Sequence, residues 1–259
     1  MKMRVKKRWL WLPSLAIAIL SWELIAFVID EPGILPRFSM VMFSFYELGV
    51  VKGYIIPDTL MSLYHFGIGL GAAFCVAVPL GIAMGWFENV FRAIDPIIEI
   101  LRPIPPLAWI PLAIAWFKLS SIAAGFIIFL GIFFPILIDT YTGFRDVPKV
   151  LVETSKVLGC AESKKQIRYV AFPYALPSIA TGTRVGMGVG WMCVVAAEMF
   201  GVSKSGLGYR LFSEFNYWNQ LDYIIAYMLL LGFISLCLDR LFRYIVDERL
   251  FRWKKGIVK

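Results

Sequence analysis

Residues 147–178, VPKVLVETSKVLGCAESKKQIRYVAFPYALPS, form a basic, amphipathic stretch in a chain that is otherwise strongly apolar. The stretch is shorter than the roughly 50 residues of a small domain, and it is too polar to cross a membrane. Gly159 divides it, which predicts two short helices joined by a turn. Pro173 and Pro177 are expected to end the second helix before the next apolar run. We call residues 146–177 the elbow.

The first helix of the elbow carries recognisable start and stop signals. Asp146 is a candidate N-cap residue with Pro148 in the first turn, and the helix is expected to run through Leu158. Gly159 suits the C′ position, where a positive φ is common. Glu162 is expected to begin the second helix. The apolar side chains that the elbow offers to a docking partner are Val150, Leu151 and Val157.

The composition of the chain is that of an integral membrane protein. Of its 259 residues, 59% are hydrophobic and 17% are charged, and the mean hydropathy is +0.74; soluble proteins carry roughly 25% charged residues. Apolar runs of about the length that crosses a bilayer predict six spans, at 9–29, 62–86, 103–119, 121–141, 178–201 and 222–242. The predicted fold class is therefore all-α, with about six transmembrane helices.

The chain is expected to form one core preceded by an N-terminal unit. Residues 1–54 would hold a tail, the first transmembrane helix and an amphipathic helix at 38–54 that lies at the membrane surface. Residues 55–259 would hold the core, including the elbow. The N-terminal apolar run is longer than that of a signal peptide and no small-residue cleavage site follows it, so we expect it to remain as the first span. Four prolines within 103–119 exclude one regular helix there.

Positive charge is unevenly distributed along the chain, whose net charge is +8. Lysine and arginine concentrate in the N-terminal tail, the 87–102 loop, the elbow and the tail after the last span, whereas the intervening loops hold few. The positive-inside rule then places both termini and the elbow in the cytoplasm, beneath the cell membrane. Topology explains the net charge, and no nucleic acid partner is needed.

Residues for catalysis or metal binding are scarce. The chain has a single histidine, His65, and no C-x-x-C, G-x-S-x-G or G-x-x-x-x-G-K-[ST] motif. We expect His65 and the cysteines to be structural, with no metal site. An enzyme is therefore not expected, and the chain has no Walker motif with which to bind ATP.

Ionisable residues inside the spans are candidate functional residues because they are costly in lipid. Glu198, near one end of the fifth span, is either an interfacial residue with access to water or a pathway or gating residue. Arg184, in the same span, is expected to extend its side chain to the inner membrane surface, with a functional role as the alternative. Asp139 and Asp239 lie close to span ends that water can reach.

Three glycines in the fifth span recur every four residues and share one helix face: Gly182, Gly186 and Gly190. Small residues at this spacing let helix backbones approach closely in membranes. The stripe predicts tight packing, either within one subunit or near a subunit interface or translocation path.

Three stretches resemble the permease subunits of ABC importers, in the nitrate, sulfonate and taurine branch. The family carries a cytoplasmic Glu-Ala-Ala motif followed by Gly and a downstream Leu-Pro, and the elbow reads ETSKVLG and then YVAFPYALP. The other two stretches are LRPIPPLAWIPLAIAWF at 101–117 and PYALPSIATGTRVGMGVGWMCVVAAEM at 173–199. Thr154 and Ser155 replace the two alanines, and Phe172 replaces leucine. The interval from Gly159 to the proline is one residue longer than usual, and Lys118 stands where relatives often have glycine.

The resemblance implies a type I importer permease that works as a dimer in the cell membrane. Each copy would offer the elbow to one of two cytoplasmic ATPase subunits, which would bind ATP and magnesium, and its outer face to a substrate-binding protein. The residues that would contact the ATPase are Glu153, Thr154, Ser155, Leu158, Gly159, Cys160 and Ala161.

The resemblance also implies a small solute, such as nitrate, bicarbonate, a sulfonate or taurine. For small anions, the candidate pathway residues are Trp109, Arg184 and Trp191, with Glu198 as a candidate gate. An ion-coupled secondary transporter is the alternative, but such proteins are expected to show internal repeats and acidic residues deep in the membrane. Neither feature is evident in this sequence.

Overall fold

The computed structural model describes residues 11–202, 205–215, 220–246 and 248, and every regular element among them is helical. The helices are α1 (Trp11–Ile29), α2 (Phe38–Tyr46), α3 (Ile55–Trp86), α4 (Glu88–Leu101), α5 (Ile110–Phe117), α6 (Ser121–Arg145), α7 (Lys149–Val157), α8 (Ser163–Gln166), α9 (Phe172–Met199), α10 (Leu207–Tyr209) and α11 (Leu221–Ile245). A 3₁₀ turn, Pro106–Trp109, precedes α5, and π-helical turns occur at Glu47–Val51, Ile167–Ala171 and Arg210–Phe215. The all-α prediction is confirmed.

Four helical stretches are long and apolar enough to cross a membrane: α3, α6, Ser163–Met199 and α11. The pair formed by α4 and Pro106–Phe117 makes a fifth candidate, bent by 88°. The predicted first span falls on α1, whose 19 residues approach the roughly 20 that cross a bilayer core; residues 9 and 10 lie outside the described part. The multi-span architecture is therefore confirmed.

The proline-rich segment is irregular, as predicted. α4 ends at Leu101, the chain turns through the prolines, and α5 resumes only at Ile110. The prediction of a loop at 87–102 is wrong, because this segment forms α4 and buries Ile98 while Arg92 remains exposed. Its charged residues suggested a loop, but they lie on the solvent side of an amphipathic helix.

α6 is the central helix and packs between α3 and α9. A Cβ atom on Gly69 would lie 2.4 Å from Ile128, and one on Gly85 would lie 2.5 Å from Phe144. The contacts therefore advance together along both helices, from Gly69 to Gly85 in α3 and from Ile128 to Phe144 in α6, so the two helices run in the same direction. Glycine allows this approach without a side chain between the backbones.

The N-terminal helices attach to the bundle through α2. Ser44 Oγ donates to Asp222 of α11 at 2.6 Å, while Lys52 Nζ lies 3.0 Å from the Tyr223 hydroxyl. Glu23 of α1 accepts hydrogen bonds from the Ser39 hydroxyl (2.9 Å) and backbone N–H (3.2 Å), and so satisfies a free donor at the start of α2. The amphipathic segment predicted at 38–54 is therefore a helix packed on α11.

Candidate functional site

The first helix of the elbow ends in a Schellman motif at the predicted glycine. Gly159 has a φ of +91°. Its N–H donates to the Lys156 carbonyl at 3.1 Å, and the Cys160 N–H donates to the Ser155 carbonyl at 2.8 Å. The prediction of Gly159 at C′ is confirmed, and the chain reverses there.

The predicted start of this helix is wrong. Asp146 is the C-cap residue of α6, with its N–H donating to the Thr142 carbonyl at 2.9 Å, and Pro148 is the N-cap residue of α7. The reason is that α6 continues past the predicted limit of residue 141 to Arg145. Asp146 therefore lies at the end of α6 and not at the start of α7.

α7 presents an apolar surface to its surroundings. The exposed fractions are 69% for Val150, 87% for Val157 and 79% for Leu158. Of the coupling residues expected from the resemblance, those that are also exposed are Glu153, Thr154, Gly159 and Ala161. Cys160 is half-buried, and Ser155 is buried with its hydroxyl donating to the Val152 carbonyl at 2.7 Å. The elbow thus has an exposed apolar face, and it is held on its inner side by the buried Ser155.

Gln166 is a further elbow residue that the sequence did not single out. Its side chain is buried, and Nε2 donates to the Cys160 carbonyl at 2.9 Å. This hydrogen bond joins the second elbow helix to the turn after the first one. Nothing local distinguishes Gln166 from its polar neighbours, because its partner is defined only by the chain reversal at Gly159.

The second elbow helix runs directly into the membrane helix. α8, the π turn Ile167–Ala171 and α9 form one continuous helix over Ser163–Met199. The prediction that Pro173 and Pro177 end the second helix is therefore wrong. A π turn holds one extra residue, and it ends two residues before Pro173, where the helix loses an N–H donor.

The glycine stripe of α9 lies against α6 of the same chain. A Cβ atom on Gly182 would lie 2.8 Å from the carbonyl oxygen of Pro135, and one on Gly186 would lie 3.0 Å from that of Ile132. At Gly190 a Cβ would approach the Ile132 side chain to 2.4 Å. Gly182 and Gly186 therefore bring the two helix backbones together within one subunit, and Gly190 makes room for the Ile132 side chain.

Arg184 lies in an ion-pair network between α9 and α11. Its Nε is 2.7 Å from Asp239, which also pairs with Arg243 at 3.0 Å. Trp191, two turns further along α9, is buried and donates its indole N–H to the Leu231 carbonyl at 3.1 Å. Both residues therefore join α9 to α11.

The four pathway candidates do not meet in one cavity. Arg184 and Trp191 line a narrow cleft of about 50 Å³ between α9 and α11. Trp109 is half-buried in the 3₁₀ turn before α5. Glu198 lies at the opposite end of α9 from the elbow.

Glu198 is the centre of a buried polar cluster. Its carboxylate accepts hydrogen bonds from the Ser62 hydroxyl at 2.8 Å and from the Gly208 N–H at 2.9 Å, and it lies 2.8 Å from His65 Nδ1. His65 Nε2 lies 3.1 Å from the Ser121 hydroxyl. The cluster joins α3, α6, α9 and α10.

The interpretation of Glu198 as a water-exposed interfacial residue is wrong, because its exposed fraction is 0%. Gly206 makes this burial possible. It has a φ of +124°, and a Cβ there would lie 2.4 Å from the Glu198 carboxylate. The segment after α9 therefore folds back over the carboxylate and covers it.

A second buried cluster lies at the same end of the bundle, and sequence reasoning missed it. Asp58 accepts hydrogen bonds from Arg210 and, at 2.7 Å, from the Tyr227 hydroxyl. The Arg210 guanidinium also stacks 3.9 Å above the Tyr54 ring. Asp58 escaped notice because the predicted span began at residue 62, whereas α3 begins at Ile55.

Within the described residues, no group of three or more His, Cys, Asp and Glu side chains could hold a metal ion. The four cysteines form no disulfide. The polar clusters connect helices through hydrogen bonds between their side chains and backbones.

Comparison with known proteins identifies the family. The family described as "Binding-protein-dependent transport system inner membrane component" matches residues 77–250. A protein of Methanocaldococcus jannaschii, provisionally named an ABC transporter permease, is 45% identical over 94% of this chain and 91% of its own. The nitrate import permease of Synechocystis sp. is 34% identical, with coverages of 90% and 86%. The taurine transport system permease of Escherichia coli is 31% identical, with coverages of 96% and 94%.

The fold is also similar to that of a solved structure. A chain of the MetNI methionine ABC transporter, in an inward-facing conformation, superposes with a TM-score of 0.63. The match covers 74% of this chain and 94% of the other, at 18% sequence identity. At that identity the likeness concerns the fold alone.

Proposed function

The chain belongs to the family of inner membrane components of binding-protein-dependent transport systems, and from this premise we propose how it works as an ABC importer permease. The elbow passes ATP-driven movement of a cytoplasmic ATPase to the membrane helices. Curated relatives are permeases for nitrate, taurine, sulfonates and bicarbonate. The family is described as dependent on a binding protein, which favours an importer over an ion-coupled secondary transporter.

The apolar face of the elbow is the observation that carries this proposal. Val150, Val157 and Leu158 remain exposed at an elbow helix that also carries charged and polar residues. Burying a valine or leucine side chain contributes about 1.5–3 kcal/mol, so a groove that covers all three would gain several kcal/mol. We assign that groove to the ATPase, with Glu153 and Thr154 at its rim.

Continuity of the second elbow helix with α9 supports transmission of movement. A displacement of α8 passes along one helix to Met199, since no loop intervenes. The close contacts of Gly182 and Gly186 then pass it to α6. The π turn at Ile167–Ala171 is the one irregular point of this lever among the described residues.

The partners follow from the same premise. Two ATPase subunits bind ATP and magnesium, because the chain carries no Walker motif, and a substrate-binding protein delivers the solute. We propose that two copies of this chain form the pathway, each with a core at 55–259 and an N-terminal unit at 1–54. The chain itself performs no enzymatic reaction.

The solute is a small one of the kind that the relatives carry, such as nitrate, bicarbonate, a sulfonate or taurine. Arg184 is exposed on α9 and Trp109 is half-buried on the bent segment, so both stay candidates for the pathway. Trp191 and Glu198 are buried, and their role is to hold α9 in position beside it.

Reconstitution tests the proposal. In vesicles that contain this chain and its ATPase, with the binding protein outside and ATP inside, uptake should require all three proteins. Substrate-loaded binding protein should also stimulate ATP hydrolysis. Uptake driven by an ion gradient without the ATPase would instead establish the secondary transporter.

We further propose that both termini and the elbow face the cytoplasm. Lys156 is exposed on α7, so Lys156→Cys provides a reporter in a background where the four native cysteines are replaced by serine or alanine. A membrane-impermeant maleimide should label it only after the cells are opened. Efficient labelling in sealed cells would reverse the orientation.

A further inference from the structure

A cavity of about 370 Å³ lies between the bent α4–α5 segment, α6 and α9. Arg102 and Pro106 line it from the bend, Asp139 from α6 and Val185 from α9. The α6 residues on the cavity are numbers 130 to 139, which lie about 13 to 27 Å from the start of that helix at 1.5 Å per residue. The cavity is therefore at membrane depth, toward the elbow.

The two charged residues of this cavity differ from those ionisable groups of the bundle that have polar or charged partners. Arg184, for example, pairs with Asp239, and Glu198 has three polar partners. Arg102 and Asp139 line one cavity, yet the side chain of neither makes a hydrogen bond or ion pair with any described residue. An unpaired charge at membrane depth is costly unless it faces a polar cavity. One positive and one negative side chain therefore remain available to bind a solute.

The backbone adds a hydrogen-bond acceptor on the same side as Asp139. Pro135 lies inside α6 and has no N–H, so the carbonyl of Gly131 lacks its usual helical donor. Both residues line the cavity. The α6 wall thus provides a carboxylate and a carbonyl without its usual helical donor, whereas the bend provides a guanidinium.

We propose that this cavity is a transit site for a small zwitterion, with Arg102 facing an oxyanion and Asp139 facing an ammonium group. A guanidinium matches a carboxylate or sulfonate with paired donors, and an ammonium has donors but no acceptor. A simple anion would be attracted by Arg102 but repelled by Asp139, in surroundings that weaken charge interactions less than water does. The volume suits a small solute. The proposal rests on the permease function above, because it names the class of solute that crosses.

Direct binding to the purified complex of this chain and its ATPase tests the site. The probes are radiolabelled taurine, which carries a sulfonate and an ammonium, and isethionate, which has the same skeleton with a hydroxyl in place of the ammonium. Taurine should bind at least about tenfold more tightly, since hydrogen bonds between charged groups are the stronger ones. Asp139→Asn should abolish that preference, and Arg102→Gln should weaken both probes. Arg92→Gln, on the exposed face of α4, is the control and should change neither.

Two results with the wild-type complex would overturn the assignment, as would a third with a variant. One is equal affinity of the wild-type complex for taurine and isethionate, and the other is no saturable binding of either probe. A preference for taurine that survives Asp139→Asn would also exclude this cavity as its origin. The assay uses neither ATP nor binding protein, so a failed test of the importer mechanism, read from stimulated ATP hydrolysis, is distinguishable. An unchanged elution volume of each variant complex in size-exclusion chromatography would show that the variant is folded.

Discussion

Replacement of Gly159 by valine should disconnect the elbow from the ATPase while the membrane helices remain inserted. Gly159 has a φ of +91°, and no heavy atom lies within 4 Å of a Cβ placed there. The substitution therefore causes no clash, and its cost is the backbone strain of a side chain in the left-handed region. That strain is about 1–2 kcal/mol.

The strain destabilises the elbow conformation with residue 159 at positive φ, which is the conformation proposed to dock on the ATPase. Valine can escape it only by leaving positive φ, which breaks the two hydrogen bonds of the Schellman motif at Lys156 and Ser155. If the ATPase recognises the observed elbow, about 1–2 kcal/mol reduces the docking-competent population roughly 5- to 30-fold. Gly159→Asn is the matched variant, since asparagine tolerates positive φ, and should lose far less.

The assays are co-purification of the ATPase and ATP hydrolysis stimulated by loaded binding protein in vesicles. Gly159→Val should fail in both, while Gly159→Asn and Lys156→Ala, a change at an exposed position, should remain close to wild type. Full stimulated hydrolysis and transport by Gly159→Val would show that the elbow is not the coupling element.

Three further predictions concern stability in detergent, measured as shifts in thermal unfolding. Glu198→Ala should lower the free energy of unfolding by about 3 kcal/mol or more, because it leaves several buried hydrogen-bond donors without a partner. A change of less than about 0.5 kcal/mol would show that the cluster does not stabilise the fold. Gly182→Ala should lower the free energy of unfolding by about 1–3 kcal/mol, because the added methyl group forces α9 away from α6. Gly188→Ala is the control on the same helix and should be neutral or stabilising, because no atom lies within 4 Å of its Cβ position. Equal effects of the two substitutions would contradict this packing. Lys118→Gly should raise the free energy of unfolding by about 1 kcal/mol, since Lys118 adopts a φ of 58° and a ψ of −163° that only glycine adopts readily. A loss of stability would show that the backbone at residue 118 is not strained.

The elbow shows which features were predictable from local sequence. Gly159 has a recognisable role because a helix end with positive φ depends on one residue and its immediate neighbours. The positions of the membrane spans could also be predicted from local sequence, since hydropathy is summed over consecutive residues. The proline-rich bend after Leu101 followed from the missing N–H groups alone.

Helix limits were less predictable, because they depend on contacts with other helices. α6 extends to Arg145 where Phe144 packs against Gly85, and Asp146 therefore ends a helix instead of starting one. The π turn at Ile167–Ala171 lets a helix continue where prolines suggested an end.

The polar sites were decided by the tertiary structure. The sequence identified Glu198 as an ionisable residue in a span but not its burial, which depends on Ser62 and His65, more than 130 positions away. Arg102 and Asp139 meet on one cavity only because the chain bends after Leu101 and returns beside α6. Local sequence determines where a chain enters the membrane and where it turns, because those depend on neighbouring residues. The partner of each buried charge is set by helix packing, which brings together residues that are far apart in the chain.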